Sequence, residues 1–289
     1  MKMTRLDTTS FFSDLAELDS WLASKGFAKR DRLRVYKANL EAMAEREKTS
    51  DAAQVYSEVE KAGKTTEILT SYVEGIEFVD ALKCLREKQV EIPAALLKKA
   101  LAGPSDAVHE NHNSNQGRNA MFELLMASMV ARQDLFPILG QVNPDVEFQF
   151  QCRRVLMECK RVLSVNKVIA NITQAVKQLE KCVDTNKADV GVVAISISRL
   201  AHQGDGFWTV PSSDTPHAFL AEGVRKVIQE LDPQLRRLDV PAVAGILFYV
   251  GGPFYVQGVG YTTANEGMLY PTSLGETDFL RTLAATLRL

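Results

Sequence analysis

The pattern of apolar residues predicts an α/β protein, in the α+β sense, whose first hundred residues are helical. Three observations carry this. Through residues 10–101 apolar side chains recur at three- and four-residue steps, which gives a helix one covered stripe. From Asp145 to Lys160 they alternate with polar residues, as on the two strands of a hairpin. Further on, a nearly unbroken apolar run from Asp189 to Ser198 follows a helical stretch. A strand covered on both faces reads this way in a βαβ unit.

In chain order, Ser13 and Asp14 precede a short helix carrying Leu15, Leu18, Trp21 and Leu22. Lys29 to Lys48 place Leu33, Tyr36, Leu40 and Met43 on one stripe, and Val55, Val59 and Ala62 mark a helix ending near Gly63. Ile68, Leu69, Tyr72, Val73, Ile76, Val79 and Leu82 define a long amphipathic helix to about Lys88. Ile92-Pro93 breaks it before a last short helix. Gly103 to Gly117 is rich in Gly, Pro, Ser, Asn and His and reads as a linker. The expected division is a helical N-terminal domain over residues 1–102, a linker over 103–117 and a second domain over 118–289. His109 and His112 in the linker would share a side only on a helix, which Gly103, Pro104 and the Asn residues argue against.

Arg118 to Val130 is apolar nearly all round, so this helix should be buried. Glu123 in its middle needs a partner, and Arg118, Arg132 and Lys160 are candidates. Val146, Phe148 and Phe150 form the apolar set of the first hairpin strand, with Asp145, Glu147 and Gln149 opposite. In the second strand Val155, Met157 and Cys159 oppose Leu156, Glu158 and Lys160. Cys152-Arg153-Arg154 sits at or near the turn, with no Gly or Asn-Gly to fix its type. Asn166 to Val183 is a two-faced helix. Its covered stripe is Ile169, Ile172, Val176, Leu179 and Val183, and its polar stripe is Lys167, Asn171, Gln174 and Gln178. The strand at 189–198 should run parallel to that of Glu158 and Lys160. Gly204 to Trp208 is expected as a loop whose aromatic pair covers the core. Ala218 to Leu231 reads as a helix, Val243–Val250 and Phe254–Tyr261 as strands joined across Gly251-Gly252-Pro253, and Asp278–Leu287 as a closing helix.

A chain of 289 residues is long enough to bury a real core. The net charge of −2 excludes a generally basic nucleic-acid binder but not a local basic groove. Four cysteines without zinc or Cys-x-x-Cys spacing suit reduced thiols, and no signal peptide or 20-residue apolar run is evident. A cytoplasmic location, with no membrane partner, is expected. No Gly-rich phosphate loop or Ser/His/Asp set is present at a known spacing.

The chemistry concentrates in the hairpin. Glu158 and Lys160 share a face, and Asp145 joins them if the first strand's polar set lies on that face. Two carboxylates and an ammonium then converge in a sheet, where acids stay only when paired or bound to a metal. Spacing alone leaves a second reading open, a surface hairpin with solvated charges. Pro144-Asp145, twelve residues, then Glu158-Cys159-Lys160 resembles the Pro-Asp…(Asp/Glu)-x-Lys signature of the restriction-endonuclease-like, or PD-(D/E)XK, nuclease superfamily. The resemblance covers roughly Arg118 to Ser198. It implies a mixed sheet flanked by helices and a Mg²⁺-dependent endonuclease, with Mn²⁺ as a substitute. In that scheme Asp145, Glu158 and the Cys159 carbonyl hold the metal. Lys160 positions or activates water, Glu123 supports metal or water, and Gln178 (or Gln174) lies close to the centre. The implied partner is nucleic acid, most simply DNA, while the N-terminal helices could hold a second copy or a partner protein. A second expectation from another class is a catalytically silent nuclease fold used for binding or assembly. A third is a defence effector that cuts only after a partner or a small nucleotide engages its helical domain.

Overall fold

In the computed structural model, residues 4–5, 8–28, 30–47, 54, 57–58, 61, 65–105, 116–140, 143–183, 189–201, 208–257, 259–272 and 277–288 are described. A short strand β1 (Thr4–Arg5) precedes helices α1 (Thr8–Ser24), α2 (Asp31–Glu47), α3 (Thr65–Glu87) and α4 (Ala94–Leu101). Their apolar stripes bury as the periodicity requires: Leu15, Leu22, Tyr36, Leu40, Leu82 and Leu85 are all buried. Each such leucine contributes roughly 1.5–3 kcal/mol by leaving water. Arg32 ties α2 to the end of α4, donating from its guanidinium to Ala100 O and to Pro104 O just beyond it. Ala100 O is one of the carbonyls that the end of a helix leaves without helical partners. Of the helix expected around Val55, Val59 and Ala62, those three residues lie outside the described set, as do His109 and His112.

α5 (Gln116–Ala131) is buried on almost every side. It leads into β2 (Ile138–Leu139), β3 (Val146–Phe150) and β4 (Arg153–Arg161). A 3-10 turn at Val165–Lys167 opens α6 (Val168–Leu179), followed by β5 (Val190–Ser196) and the single turn α7 (Ser198–Ala201). Then come β6 (Trp208–Val210), α8 (Thr215–Leu235), β7 (Val243–Val256), β8 (Gly260–Pro271) and α9 (Thr277–Leu287).

The eight strands form one mixed sheet in the order β1-β8-β7-β5-β4-β3-β2, with β6 pairing β7 off this path. β4, β5 and β7 run parallel, while β2–β3, β3–β4 and β7–β8 are antiparallel. The predicted βαβ crossover from β4 through α6 to β5 is therefore present. One apolar cluster joins helices α1 to α5 to one sheet face through Val155, Met157, Cys159, Val192 and Tyr249. The other cluster holds α6 and α8 against Leu156, Val193, Ile195 and Phe248. The N-terminal helices thus share their core with the sheet. Among the described residues no helix is long and apolar enough to cross a membrane.

Two local expectations change. Val243–Val250 and Phe254–Tyr261 are not two strands across a Gly-Gly-Pro turn, since β7 runs unbroken through Gly251, Gly252 and Pro253. The reason is the open flank at this point. β5 pairing ends at Tyr249 and β6 pairing begins at Phe254, so Pro253 falls where, among the described residues, one side of β7 has no strand beside it. Gly252 is required because a Cβ there would meet the Trp208 ring at 2.2 Å. That ring packs on Phe219 and Phe254 at 5.1 Å each, the core-covering role expected of it; Phe207 is outside the described residues.

The second change is the hairpin turn, which is made by Gln151 and Cys152 with φ of 48° and 61°. Phe150 pairs directly with Arg153. Two residues with positive φ in a two-residue loop make a type I′ turn, the geometry whose twist suits a hairpin. Here it is built without glycine. Cys152→Gly is expected to raise unfolding stability by about 1 kcal/mol, because only glycine adopts this region without a steric cost. Urea denaturation measures it, and an unchanged midpoint would show the turn to be unstrained.

Candidate active site at the β3–β4 hairpin

The register decides which side chains meet. Val146 pairs with Met157 and Glu147 with Leu156, so one step further along Asp145 lies opposite Glu158. Paired residues point to the same face, and the condition on which the acid pair depended is met. Asp145 Oδ2 accepts a hydrogen bond of 2.7 Å from the Cys159 backbone N–H. Strand parity sends the Cys159 carbonyl to the same side. The register there continues to Pro144, which has no N–H to offer it. The Cys159 thiol is buried on the opposite sheet face, so only its backbone belongs to the site.

Glu158 is fully buried, and its Oε1 accepts from Lys160 Nζ at 2.5 Å. Its Oε2 is buried with no donor facing it among the described residues, and the Asp145 carboxyl lies beside this carboxyl group. Burial, then the charge of Asp145, pushes the Glu158 carboxyl up from its ordinary value. Asp145 is raised too, by burial, against the opposing pull of the Cys159 N–H and Lys160. Glu123 comes from α5 to complete the group. Burial and then Asp145 raise its carboxyl as well, with Lys99 and Lys160 opposing. The ion-pair partners considered for Glu123 are engaged elsewhere: Arg118 with Glu74, Arg132 with Asp80 and Lys160 with Glu158.

Asp145, Glu158, Lys160 and Glu123 are therefore brought together. Gln178 lies close to this group but beside it. Its Nε2 donates to Asn143 Oδ1 at 2.9 Å, so it braces the segment that presents Asp145 and is not seen to touch the acids. Its Oε1 is buried without a partner among the described residues. Gln174 is exposed on the same helix. Two residues of the neighbourhood gave no signal in the sequence. Asn143 is an ordinary turn residue until Gln178 is seen to hold it. Lys99 belongs to α4, and only the packing of that helix on α5 brings its charge to the acids.

Compared with known proteins, the chain matches no family model and no curated protein. Among the described residues no group of three or more His, Cys, Asp or Glu side chains stands ready to hold a metal ion. Glu158 is turned onto Lys160 and Asp145 onto the Cys159 N–H. The donor set nonetheless fits a hard divalent cation. Three carboxylates crowd two ammonium groups, every one of the three is pushed towards its neutral form, and one buried carboxylate oxygen lacks a donor. Added positive charge would relieve all three, and oxygen ligands favour Mg²⁺.

The raised acids set a pH dependence. A carboxyl whose folded-state pKa lies above its unfolded value keeps its proton longer when folded, so stability is complete below the unfolded pKa and falls as pH rises through the folded one. Metal-free protein is expected to lose stability between about pH 4.5 and 8. Glu158→Gln should flatten this decline, as thermal melts in a chelator at several pH values would show. An equal slope in the variant would remove Glu158 from the cause.

Proposed function

We propose that this protein is a metal-dependent nuclease of the restriction-endonuclease-like kind, hydrolysing phosphodiester bonds with Mg²⁺, most simply in DNA. The observation that carries this reading is the register that sets Asp145 opposite Glu158, with Lys160 Nζ 2.5 Å from the Glu158 carboxylate. Asp145, Glu158, the Cys159 carbonyl and Glu123 would hold the ion. When bound, it supplies positive charge to the phosphate oxygens and acidifies water.

The chain's own groups do the rest. Burial of Glu158 and Cys159 beneath α5 and α6 keeps water from the inner side of the site, so charges there act in a medium of low dielectric. The Cys159 N–H fixes the Asp145 carboxylate, and Gln178 fixes the segment before it through Asn143. Lys160, relieved of Glu158 when that carboxylate turns to the ion, is positioned to orient a water and hold or pass its proton. Lys99, exposed at the rim, offers charge to a substrate phosphate, the usual sequence-independent contact.

The test is to incubate the protein with duplex DNA, single-stranded DNA and RNA, in Mg²⁺ or Mn²⁺ and in a chelator. Cleavage of at least one substrate only with metal is expected. A second reading, a fold that binds without turnover, draws on the Lys160–Glu158 ion pair, which occupies both catalytic groups. Binding of the ion separates them. At a hundredfold excess over its Kd, Mn²⁺ should stabilise the wild type by about 2.7 kcal/mol, and Glu158→Gln should lose most of this. Absence of any metal-induced rise in Tm would reject the nuclease reading.

A further inference from the structure

A cavity lies on the sheet face opposite Glu158 and Lys160. It has a volume of about 110 Å³, opens to the surface, and is lined by α3, α5, the ends of β4 and β5, the start of α7, and β7. A single water needs roughly 10–15 Å³, so there is room for a group the size of a sugar phosphate or a mononucleotide. Its position is that of a ligand crevice. Arg161 and Ser196 are the last residues of the parallel strands β4 and β5, and ligands of open α/β sheets bind outside the carboxyl ends of such strands. The same place meets β7 at Gly251, just past the end of its pairing with β5 at Tyr249.

The lining is chemically selective. Arg118, Arg161 and Arg199 bring three guanidinium groups to its wall. Glu74 Oε1 meets Arg118 Nε at 2.5 Å and an Arg161 nitrogen at 3.5 Å. Arg199, half-buried in α7, is engaged by no ion pair or hydrogen bond among the described residues. Beside it, Ser196 and Ser198 hydroxyls lie 3.3 Å apart, and the Gly251 N–H donates to Ser198 Oγ, leaving a hydroxyl proton available. Opposite, Glu77 accepts from the Tyr249 hydroxyl at 2.8 Å. Burial raises the Glu77 carboxyl to about 7, so near neutral pH it is only partly ionised. A Cβ at Gly251 would come within 2.5 Å of Glu77 Oε1; the strand keeps a glycine where a carboxyl must approach its backbone. A guanidinium that no carboxylate engages among the described residues, that of Arg199, beside hydroxyl donors is the recognition chemistry of a phosphate.

We propose that this cavity binds a small phosphate-bearing organic molecule of mononucleotide size, its phosphate on Arg199, Arg161 and the Ser196–Ser198 hydroxyls. The site is independent of the cleavage reading, because β4 separates it from the acid cluster.

Calorimetry on the full chain, in a chelator, with AMP, UMP, ribose 5-phosphate, adenosine and inorganic phosphate as probes tests this. At least one phosphate-bearing organic probe should bind, at least tenfold more tightly than adenosine or inorganic phosphate. Arg199→Ala should weaken it at least tenfold with unchanged Tm, Arg199→Lys should recover part of the loss, and Asp145→Ala should bind as the wild type does. No binding of any organic phosphate at about 1 mM, equal binding of adenosine, or insensitivity to Arg199→Ala overturns the site. Loss of binding in Asp145→Ala would place the phosphate at the acid cluster and overturn it equally.

Discussion

Replacing Lys160 by alanine is expected to lower metal-dependent phosphodiester cleavage by roughly 10²- to 10⁴-fold, the usual contribution of a group that handles the proton of a reacting water. Metal binding should survive. Lys160 is a cation, and its removal leaves Glu158 and Asp145 with more negative charge to offer an ion, so the Mn²⁺-induced rise in Tm should be equal or larger. Glu158→Gln is expected to do the reverse, losing both the rise in Tm and cleavage. Measured together, the two variants separate a proton-handling residue from a ligand. If Lys160→Ala cuts at the wild-type rate, the lysine serves only to neutralise Glu158, and the proposed chemistry is lost. Substrate-truncation effects do not confuse the comparison, because neither substitution touches the exposed rim where Lys99 lies.

The largest expected stability effect is at Arg118. It is among the biggest fully buried side chains, and its Nε lies 2.5 Å from Glu74 Oε1. Glu74 is a junction of four elements. From α3 it accepts from Tyr36 of α2, Arg118 of α5 and Arg161 of β4. Burial opposes its ionisation, but Arg118, then Arg161 and Arg32, outweigh this and hold the carboxyl at about 2. Arg118→Ala leaves a buried charge short of its main partner and should cost about 3–5 kcal/mol in urea denaturation. Arg118→Ala combined with Glu74→Gln should cost less than the single change, since the stranded charge is removed as well. A loss under 1 kcal/mol for Arg118→Ala would show Arg161 to be sufficient. The linkage has a definite sign. A carboxyl depressed in the folded state adds stability above its unfolded pKa and loses it as pH falls through the folded one. Glu74 should therefore contribute to acid unfolding between about pH 4.5 and 2.

Much of the architecture could be read directly because it depends on local periodicity. The stripe Ile68, Tyr72, Ile76, Val79 and Leu82 fits a helix, and the short β-branched run from Val190 to Ser196 fits a strand covered on both faces. The β7 strand was misread for the opposite reason. Gly251-Gly252-Pro253 is turn chemistry by composition, and only its pairing with β8, with Trp208 and Glu77 needing close approach, makes it strand. The hairpin turn at Gln151 and Cys152 carries no glycine to announce its positive φ. Its type follows from the two-residue distance between paired strands.

The candidate site divides along the same line. That Glu158 and Lys160 share a face was fixed by the chain itself, because side chains two apart on a strand point the same way. Whether Asp145 joined them depended on register, which a slip of one residue would have reversed. The sequence alone determined a mixed α/β chain with an acid pair and a lysine in one hairpin. The tertiary structure decided that α5 delivers Glu123 and α4 delivers Lys99 to those acids, that Gln178 acts through Asn143, and that Glu74 binds the helical layer to the sheet. These contacts join residues far apart in the chain. No local pattern encodes them, since they arise only when separate elements bury their apolar faces on one another.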